Sequence, residues 1–109
     1  MYIVTNTTKI KKNEAHKLIE RFDKVGQIES MEGFIDLEVL ETKKLRDHDE
    51  VVIVTRWEDE ASFKGWMKSD AFKNSHKHEG EGKRPDFILD NEIGFYEVKV
   101  VRRAVARVS

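Results

Sequence analysis

The chain has 109 residues and no cysteine, and its 20 basic and 21 acidic side chains nearly cancel. This length suits one domain with a modest core. The lack of cysteine excludes disulfides, thiolate metal sites and a cysteine nucleophile, and the balanced charge removes the general attraction that nucleic acid or an anionic membrane would need. The amino terminus lacks a signal-peptide pattern, and no segment approaches the roughly 18 apolar residues of a membrane span. We therefore expect one cytoplasmic domain over residues 1–109, without nucleic-acid or membrane partners.

The first two predicted elements are a strand and an amphipathic helix. Polar and apolar residues alternate from Tyr2 to Ile10, which predicts a strand with Asn6 on its more apolar face. Within "NEAHKLIERFDKVG" apolar residues recur at helical spacing, which predicts a helix of about 12 to 14 residues ending near Gly26. The apolar stripe of this helix consists of Ala15, Leu18, Ile19, Phe22 and Val25.

The next segment reads as a hairpin. "MEGFIDLEVLET" predicts a second strand in which Ile35, Leu37 and Val39 share a face, and "KKLRDHD" predicts a charged turn that includes His48. "EVVIVTRW" is rich in β-branched residues, which is typical of a central strand. These two strands are expected to pair.

A second helical region is predicted from about Asp59, with Phe63 and Met67 four residues apart on one side. Ser69 has the chemistry of a helix cap, so we expect the helix to break or bend there and resume at Asp70. "HEGEGKRPDFILDN" holds two of the six glycines and the only proline, which predicts a mobile connection with little regular structure. "EIGFYEVKVV" then predicts a fourth strand, and residues 102–109 form a basic tail that frays or packs on a partner subunit.

The order strand, helix, strand, strand, helix, strand predicts an α+β fold, the ferredoxin-like βαββαβ domain. One four-stranded sheet with both helices on one face leaves its other face bare. A second copy packing sheet to sheet would cover that face, so topology and the small core together favour a homodimer.

Two polar or aromatic residues stand out for chemistry. Asn6 carries an amide on an apolar face, where an unpaired amide costs about 1 to 3 kcal/mol, so it either makes a structural hydrogen bond or donates into a pocket. Trp66 either packs between helix and sheet or borders a pocket, and its spacing alone favours packing. Trp57 ends an apolar strand and is expected in the core.

The histidines divide into one candidate and three solvated residues. His76 follows Phe72 by four positions, on the same helical stripe, although a core histidine shows this pattern more often than a ligand does. The other three histidines are interpreted as surface residues: His16, His48 and His78.

Metal and nucleotide motifs are missing from the sequence. "HKH" is a poor metal motif on a helix because residues two apart do not face each other, and there is no glycine-rich phosphate loop. A neutral histidine suits haem iron as its single axial ligand, with an amide on the opposite side able to donate to bound dioxygen.

These residues resemble a known family, the IsdG-type haem-degrading monooxygenases, within the broader superfamily of antibiotic-biosynthesis-monooxygenase-like dimeric α+β barrels. The resemblance covers nearly the whole chain: "TNT", "LIERF", "EGF", "DEVVIVTRW" and, most specifically, "WMKSDAFKNSHKH". "EGF" and the strand patterns are shared with the wider superfamily and discriminate little.

The resemblance implies that two copies form a dimeric α+β barrel and that haem is both substrate and cofactor. It implies that His76 is the axial ligand of the haem iron, that Asn6 lies on the distal side near the iron-bound ligand, and that Trp66 presses on the porphyrin. Further haem contacts are assigned to three residues: Phe22, Phe72 and Arg21. Arg21 and Lys83 are candidates for binding the propionates.

The implied reaction uses O2 and an external electron donor, either a reductase or a small reductant, to open the porphyrin to a biliverdin-like tetrapyrrole and release iron. Two alternatives stay open at this point. One is a cofactor-free monooxygenase acting on polycyclic aromatic substrates, with His76 as base or spectator. The other is a non-enzymatic dimer that binds haem to store or shuttle it.

Overall fold

A computed structural model, which describes residues 1–75 and 85–106, has one four-stranded antiparallel sheet with helices on one face. The strands are β1 (Tyr2–Lys11), β2 (Phe34–Glu41), β3 (His48–Trp57) and β4 (Ile88–Glu97). The helices are α1 (Ala15–Phe22), α2 (Glu60–Lys68) and α3 (Asp70–Ser75), with a 3-10 turn at Ile28–Ser30. The strand order β2-β3-β1-β4 confirms the ferredoxin-like prediction.

Strand β3 is central, as its β-branched sequence predicts, and it pairs with β2 in the expected hairpin and with β1 on the other side. Register fixes which side chains share a face. Asn6 lies opposite Ile53 of β3 and opposite Ile93 of β4, so these three residues form one row across the helix-covered face.

The core consists of two clusters at the two ends of that face. The α1 cluster joins the first helix to the sheet and contains Ile10, Ala15, Leu18, Val51 and Ile53. The tryptophan cluster joins α2 to the sheet and contains Val4, Trp57 and Trp66. Trp57 is completely buried and meets Phe34 and Phe63 edge-on at ring-centroid distances of 5.3 and 5.9 Å, which confirms it as a core residue.

Gly33 fixes how the chain enters β2 beside the start of α2. Its φ of +80° lies in the left-handed region, and a Cβ there would lie 2.0 Å from Oγ of Ser62. The carbonyl of Gly33 accepts a 2.7 Å hydrogen bond from N–H of Glu58. Asp59 then caps α2 by accepting from N–H of Ser62 at 2.8 Å, so the predicted start of this helix is confirmed.

The first helix is shorter than the predicted 12 to 14 residues. It spans eight residues and ends at Phe22. The N–H of Asp23 bonds three residues back to the carbonyl of Glu20, and its ψ of 52° leaves the helical region, so the last turn tightens and stops. Val25 is consequently 84% exposed rather than part of the buried stripe.

The prediction for β2 is wrong in one position. A register shift between Phe34 and Asp36 places Ile35 at an irregularity, where it is 42% exposed. Leu37 and Val39 pack on the α1 cluster as expected, and Phe34 rather than Ile35 packs with Trp57.

Three further predictions are corrected by the structure. His48 begins β3, paired with Lys11, and is not in a turn. Met67 is 42% exposed, so of the two residues predicted on the apolar side of α2 only Phe63 packs against the tryptophan cluster. The segment predicted to be irregular up to residue 91 belongs to β4 from Ile88 onward, because the ten-residue β1 supplies pairing partners that outweigh the low strand propensity of Asp and Asn.

The prediction for the end of the fourth strand is wrong, because β4 ends at Glu97 rather than Val101 and residues 98–106 have no helix or strand. Val100, Val101 and Val105 in this tail are 76%, 53% and 88% exposed. Within the described part of the chain, none of the helices has the length and apolar character needed to cross a membrane.

Candidate functional site

The helices leave a strip of the sheet uncovered between the two clusters. Ile93 and Phe95 of β4 face the helix side, since they pair with Asn6 and Val4, yet they are 53% and 55% exposed. This strip, formed by Asn6, Ile93 and Phe95, offers an apolar wall with one amide in it. Such a surface suits a flat apolar ligand that needs one directed hydrogen bond.

Sequence reasoning missed Ile93 and Phe95 as site residues. The signal was present, because the two lie two positions apart in "NEIGFYE" and so share a face of the strand, but only the pairing with β1 shows which face that is.

Asn6 lies in a small hydrogen-bonded cluster with two neighbours. Nδ2 of Asn91 donates to Oδ1 of Asn6 and, at 3.2 Å, to Oγ1 of Thr8. The hydroxyl of Thr8 donates to Oδ1 of Asn6 at 3.4 Å. The predicted placement of Asn6 on the apolar face is confirmed, and its side-chain oxygen is engaged twice.

Trp66 is 9% exposed and belongs to the tryptophan cluster. Its ring meets the ring of Phe72 edge-on, with centroids 5.6 Å apart. The structure therefore brings together Trp66 and Phe72, two of the predicted site residues. Burial in the cluster shows that Trp66 packs against the sheet; a contact with porphyrin remains a prediction.

The predicted break in the second helical region is confirmed at Ser69. Its hydroxyl donates to the carbonyl of Trp66 at 2.6 Å and accepts from N–H of Phe72 at 3.1 Å. One side chain thus closes α2 and opens α3, because it satisfies a carbonyl of the first helix and an amide of the second. The break sets the direction in which α3 leaves Trp66.

The other predicted cofactor-binding residues lie at the end of α1. Phe22 is its last residue and is 39% exposed. The Arg21 guanidinium lies 5.4 Å and the Lys17 ammonium 5.9 Å from the ring centroid of Phe87, just before β4. These cations hold Phe87 against α1, and the structure does not bring Arg21 into hydrogen-bonding contact with Asn6 or Trp66 among the described residues.

His76 and Lys83 lie outside the described residues. The roles assigned to these two residues stay predictions. The predicted surface position of His78 and the predicted connection up to residue 84 also lie outside the described residues.

Outside the strip, the described residues form neither a metal-binding group nor a cavity that includes the predicted site residues. In residues 1–75 and 85–106, no group of three His, Asp or Glu side chains is placed to hold a metal ion. Two surface depressions of about 240 and 320 Å³ lie beside Glu58 and beside Lys12, and neither is lined by Asn6 or Trp66.

The side chains whose pKa is shifted lie at helix ends or in an ion pair, and none of them lies on the strip. Hydrogen bonds from the backbone and side chain of Ser62 hold the pKa of Asp59 below its ordinary value. Hydrogen bonds from Arg56 to Glu38 and Asp36, on the opposite sheet face, raise the pKa of Arg56.

The βαββαβ order and the single antiparallel sheet define the class of ferredoxin-like α+β domains, and comparison with known proteins defines the family. The sequence profile described as antibiotic biosynthesis monooxygenase matches residues 1–78, and the chain belongs to this family.

Among its relatives, a protein of Bacillus mycoides named heme-degrading monooxygenase is 58% identical over 106 residues, which cover 97% of both chains. A solved structure from Bacillus cereus, described as an antibiotic biosynthesis monooxygenase, is 35% identical and superposes with a TM-score of 0.83 over 97% of this chain and 98% of that one. The haem degrader MhuD of Mycobacterium tuberculosis, solved with two haems in its active site, has the same fold at 20% identity, with a TM-score of 0.66 over 90% of this chain and 95% of its own.

Proposed function

We propose that this chain is a haem-degrading monooxygenase that opens the porphyrin with O2 and electrons from an external donor and releases the iron. The observation that carries the proposal is the 58% identity to proteins named heme-degrading monooxygenase, which extends over 97% of both chains. The fold alone does not select the substrate, because one fold hosts many chemistries.

The described residues have the chemical groups that a haem ligand would need. Ile93 and Phe95 supply an exposed apolar wall, and the amide nitrogen of Asn6 donates to no protein acceptor among the described hydrogen bonds. Bound haem supplies the iron and its redox chemistry. The protein's share is to bind the ring, to orient it and to place a hydrogen-bond donor beside the iron.

Each predicted site residue has a role in this proposal. His76 would hold the haem iron, and Asn6 would donate a hydrogen bond to the ligand that the iron binds. Trp66, fixed by the tryptophan cluster, presses on the ring from a rigid position. Phe22 and Phe72 add apolar contact, and Arg21 is placed at the end of α1, where a propionate is its proposed partner.

The proposal includes a homodimer and an electron donor from outside the chain. The sheet face away from the helices carries Leu40, opposite Val52, and Tyr96, opposite Ile3. Leu40 and Tyr96 are 46% and 55% exposed, so a second copy would bury apolar surface there. Light scattering on the purified chain distinguishes the 12.8 kDa monomer from twice that mass, and a monomer at all concentrations would contradict the dimer.

Titration with haem tests the axial ligand, and the sequence provides a matched control. His76→Ala should abolish the Soret band of bound haem or shift it, because the iron loses its ligand. His78→Ala makes the same substitution two residues further on and should leave the band in place.

The outcomes separate the three classes of protein. A wild-type chain that leaves the Soret band of added haem as it is in free haem contradicts the proposal and favours the cofactor-free enzyme. A band unchanged in His76→Ala removes the assigned ligand. A haem-binding chain whose band survives reductant and air is a storage protein.

A further inference from the structure

The hydrogen bonds around Asn6 raise the question of which end of its amide faces the strip. A carboxamide presents either an oxygen, which accepts, or a nitrogen, which donates, and its last torsion is broad and roughly two-fold when nothing holds it. An oxygen facing an electron-rich ligand repels it, whereas a nitrogen donates to it. The function of Asn6 therefore depends on what holds its side chain.

Asn91 and Thr8 hold the oxygen. Asn91 pairs with Thr8 across β1 and β4, and its Nδ2 donates to Oδ1 of Asn6 and to Oγ1 of Thr8. Thr8 is 3% exposed, so its hydroxyl is fixed in the interior, and it donates to the same Oδ1 at 3.4 Å. Both acceptor positions of that oxygen are occupied.

The nitrogen of Asn6 is left for another partner. Among the described residues no hydrogen bond uses Nδ2 of Asn6. Because the oxygen and nitrogen of an amide diverge from one carbon, Nδ2 points away from Asn91 and Thr8. It is therefore available to donate to a ligand bound on the strip.

We propose that Asn91 and Thr8 are positioning residues, which hold the side-chain oxygen of Asn6 and so turn its Nδ2 toward the ligand bound on the strip. This inference rests on the proposed haem-degrading function for the identity of that ligand. The hydrogen bonds from Asn91 and Thr8 to Asn6 exist in the protein without ligand, so their effect on the Asn6 side chain can be measured in the ligand-free protein.

The first experiment measures the Asn6 side chain in the ligand-free protein. With ¹⁵N labelling, the side-chain amide of Asn6 should have an order parameter near the rigid-backbone value of about 0.85, and Asn91→Ala should lower it below about 0.6. Glu92→Ala, on the next residue and the opposite face, should leave it unchanged. Equal order parameters of the Asn6 amide in wild type and Asn91→Ala would show that Asn91 does not hold this side chain in place.

The second experiment measures azide affinity of the haem-loaded protein, because azide is an anion that accepts a hydrogen bond from a donor near the iron. Asn6→Ala should weaken azide about tenfold, equivalent to about 1.4 kcal/mol, with haem affinity changed less than about twofold. Asn91→Asp should weaken azide at least as much. Its carboxylate accepts only, so it attracts Nδ2 of Asn6 and turns the oxygen toward the ligand.

Thr8→Val has a matched control one residue away. Thr8→Val removes the buried hydroxyl and should weaken azide about threefold, a fraction of the loss expected for a full donor. Thr7→Val makes the same change on the opposite face of β1 and should have no effect. A purely structural role would lower the melting temperature of the Thr8 variant without moving azide affinity of the folded protein.

The results distinguish failure of this inference from failure of the proposed function. If the wild type gives no Soret band, the haem proposal fails, and the order-parameter measurement still decides whether Asn91 holds Asn6. If haem binds and Asn91→Asp leaves azide affinity unchanged or raises it, the amide faces the other way and the positioning role is wrong.

Discussion

At the scale of single residues, Asn6 shows how a polar group is accommodated on an apolar face. Its oxygen is satisfied by Asn91 and Thr8, so half of the amide carries no desolvation penalty. The nitrogen has no partner among the described hydrogen bonds, and Ile93, which lies opposite Asn6 on β4, is 53% exposed. A ligand-binding site needs such a group, which is held in place by one atom and can donate a hydrogen bond from another.

Trp66 is expected to contribute to both stability and turnover. Trp66→Phe should lower the free energy of unfolding by about 1 to 3 kcal/mol because Trp66 is buried in the tryptophan cluster. It should also slow haem degradation about tenfold, which corresponds to roughly 1.4 kcal/mol of lost transition-state stabilisation. Chemical denaturation and the rate of Soret loss per haem-loaded molecule measure the two effects.

Trp57→Phe is the matched control for this prediction. Trp57 is fully buried in the same cluster and donates from Nε1 to Oγ1 of Thr55 at 3.1 Å, so its replacement should destabilise at least as much. The rate per haem-loaded molecule should stay unchanged. Equal slowing in both variants would mean that Trp66 acts only through the core.

Alternation along one strand predicts which face a residue occupies, but it does not predict that residue's partners on another strand. The side of Asn6 was predictable from "YIVTNTTKI", because neighbouring residues of a strand point to opposite faces. The role of Asn91 was not predictable, because it is 85 positions from Asn6 and lies in a segment whose Asp and Asn residues predict a loop. Only the register of β4 against β1 brings them together.

At the scale of elements, α1 depends on a cap from a distant strand. Glu14 precedes the helix but makes no side-chain cap, whereas Oδ2 of Asp49 in β3 accepts from N–H of Ala15 at 3.1 Å. Partial burial raises the pKa of Asp49, but hydrogen bonds from the N–H groups of Ala15 and Asn13 and the charge of Lys12 outweigh it, so the pKa lies below its ordinary value.

Removing this cap should destabilise the protein in a pH-dependent way. Because the folded pKa of Asp49 is depressed, its stabilising effect is present above the unfolded value of about 4 and is lost as pH falls through the folded pKa. Asp49→Ala should therefore lower the melting temperature at pH 7, and the difference from wild type should shrink toward pH 3.

Asp47→Ala serves as the control, because Asp47 is exposed two residues earlier and makes no described hydrogen bond or ion pair. It should change the melting temperature little at either pH. A deficit in Asp49→Ala that is constant from pH 7 to pH 3 would show that the charge of Asp49 plays no part.

Element boundaries were less predictable than element types. The helix break at Ser69 followed from its local capping chemistry, which a sequence shows directly. The end of α1 at Phe22 did not follow, because the apolar spacing continues to Val25 and only the hydrogen bond from Asp23 to Glu20 ends the helix. Tertiary contacts set such limits.

At the scale of the whole molecule, the two-cluster core explains where a ligand fits. The α1 cluster and the tryptophan cluster anchor helices at opposite ends of the sheet. Ile93 is exposed between them, and Phe95 is half-exposed where its ring meets Phe63 of α2. The order of elements predicted the ferredoxin-like sheet. It could not predict the strip, which depends on how far each helix extends over β4.

Haem degradation by this molecule is expected to depend on the Asn6 amide. The direct measurement is the visible spectrum of the haem-loaded protein in air after ascorbate is added, with a ferrous chelator present. We expect steady loss of the Soret band with iron captured by the chelator, and at least about tenfold slower loss in Asn6→Ala at unchanged haem affinity. A Soret band that persists in the wild type, with no iron captured, would contradict the account.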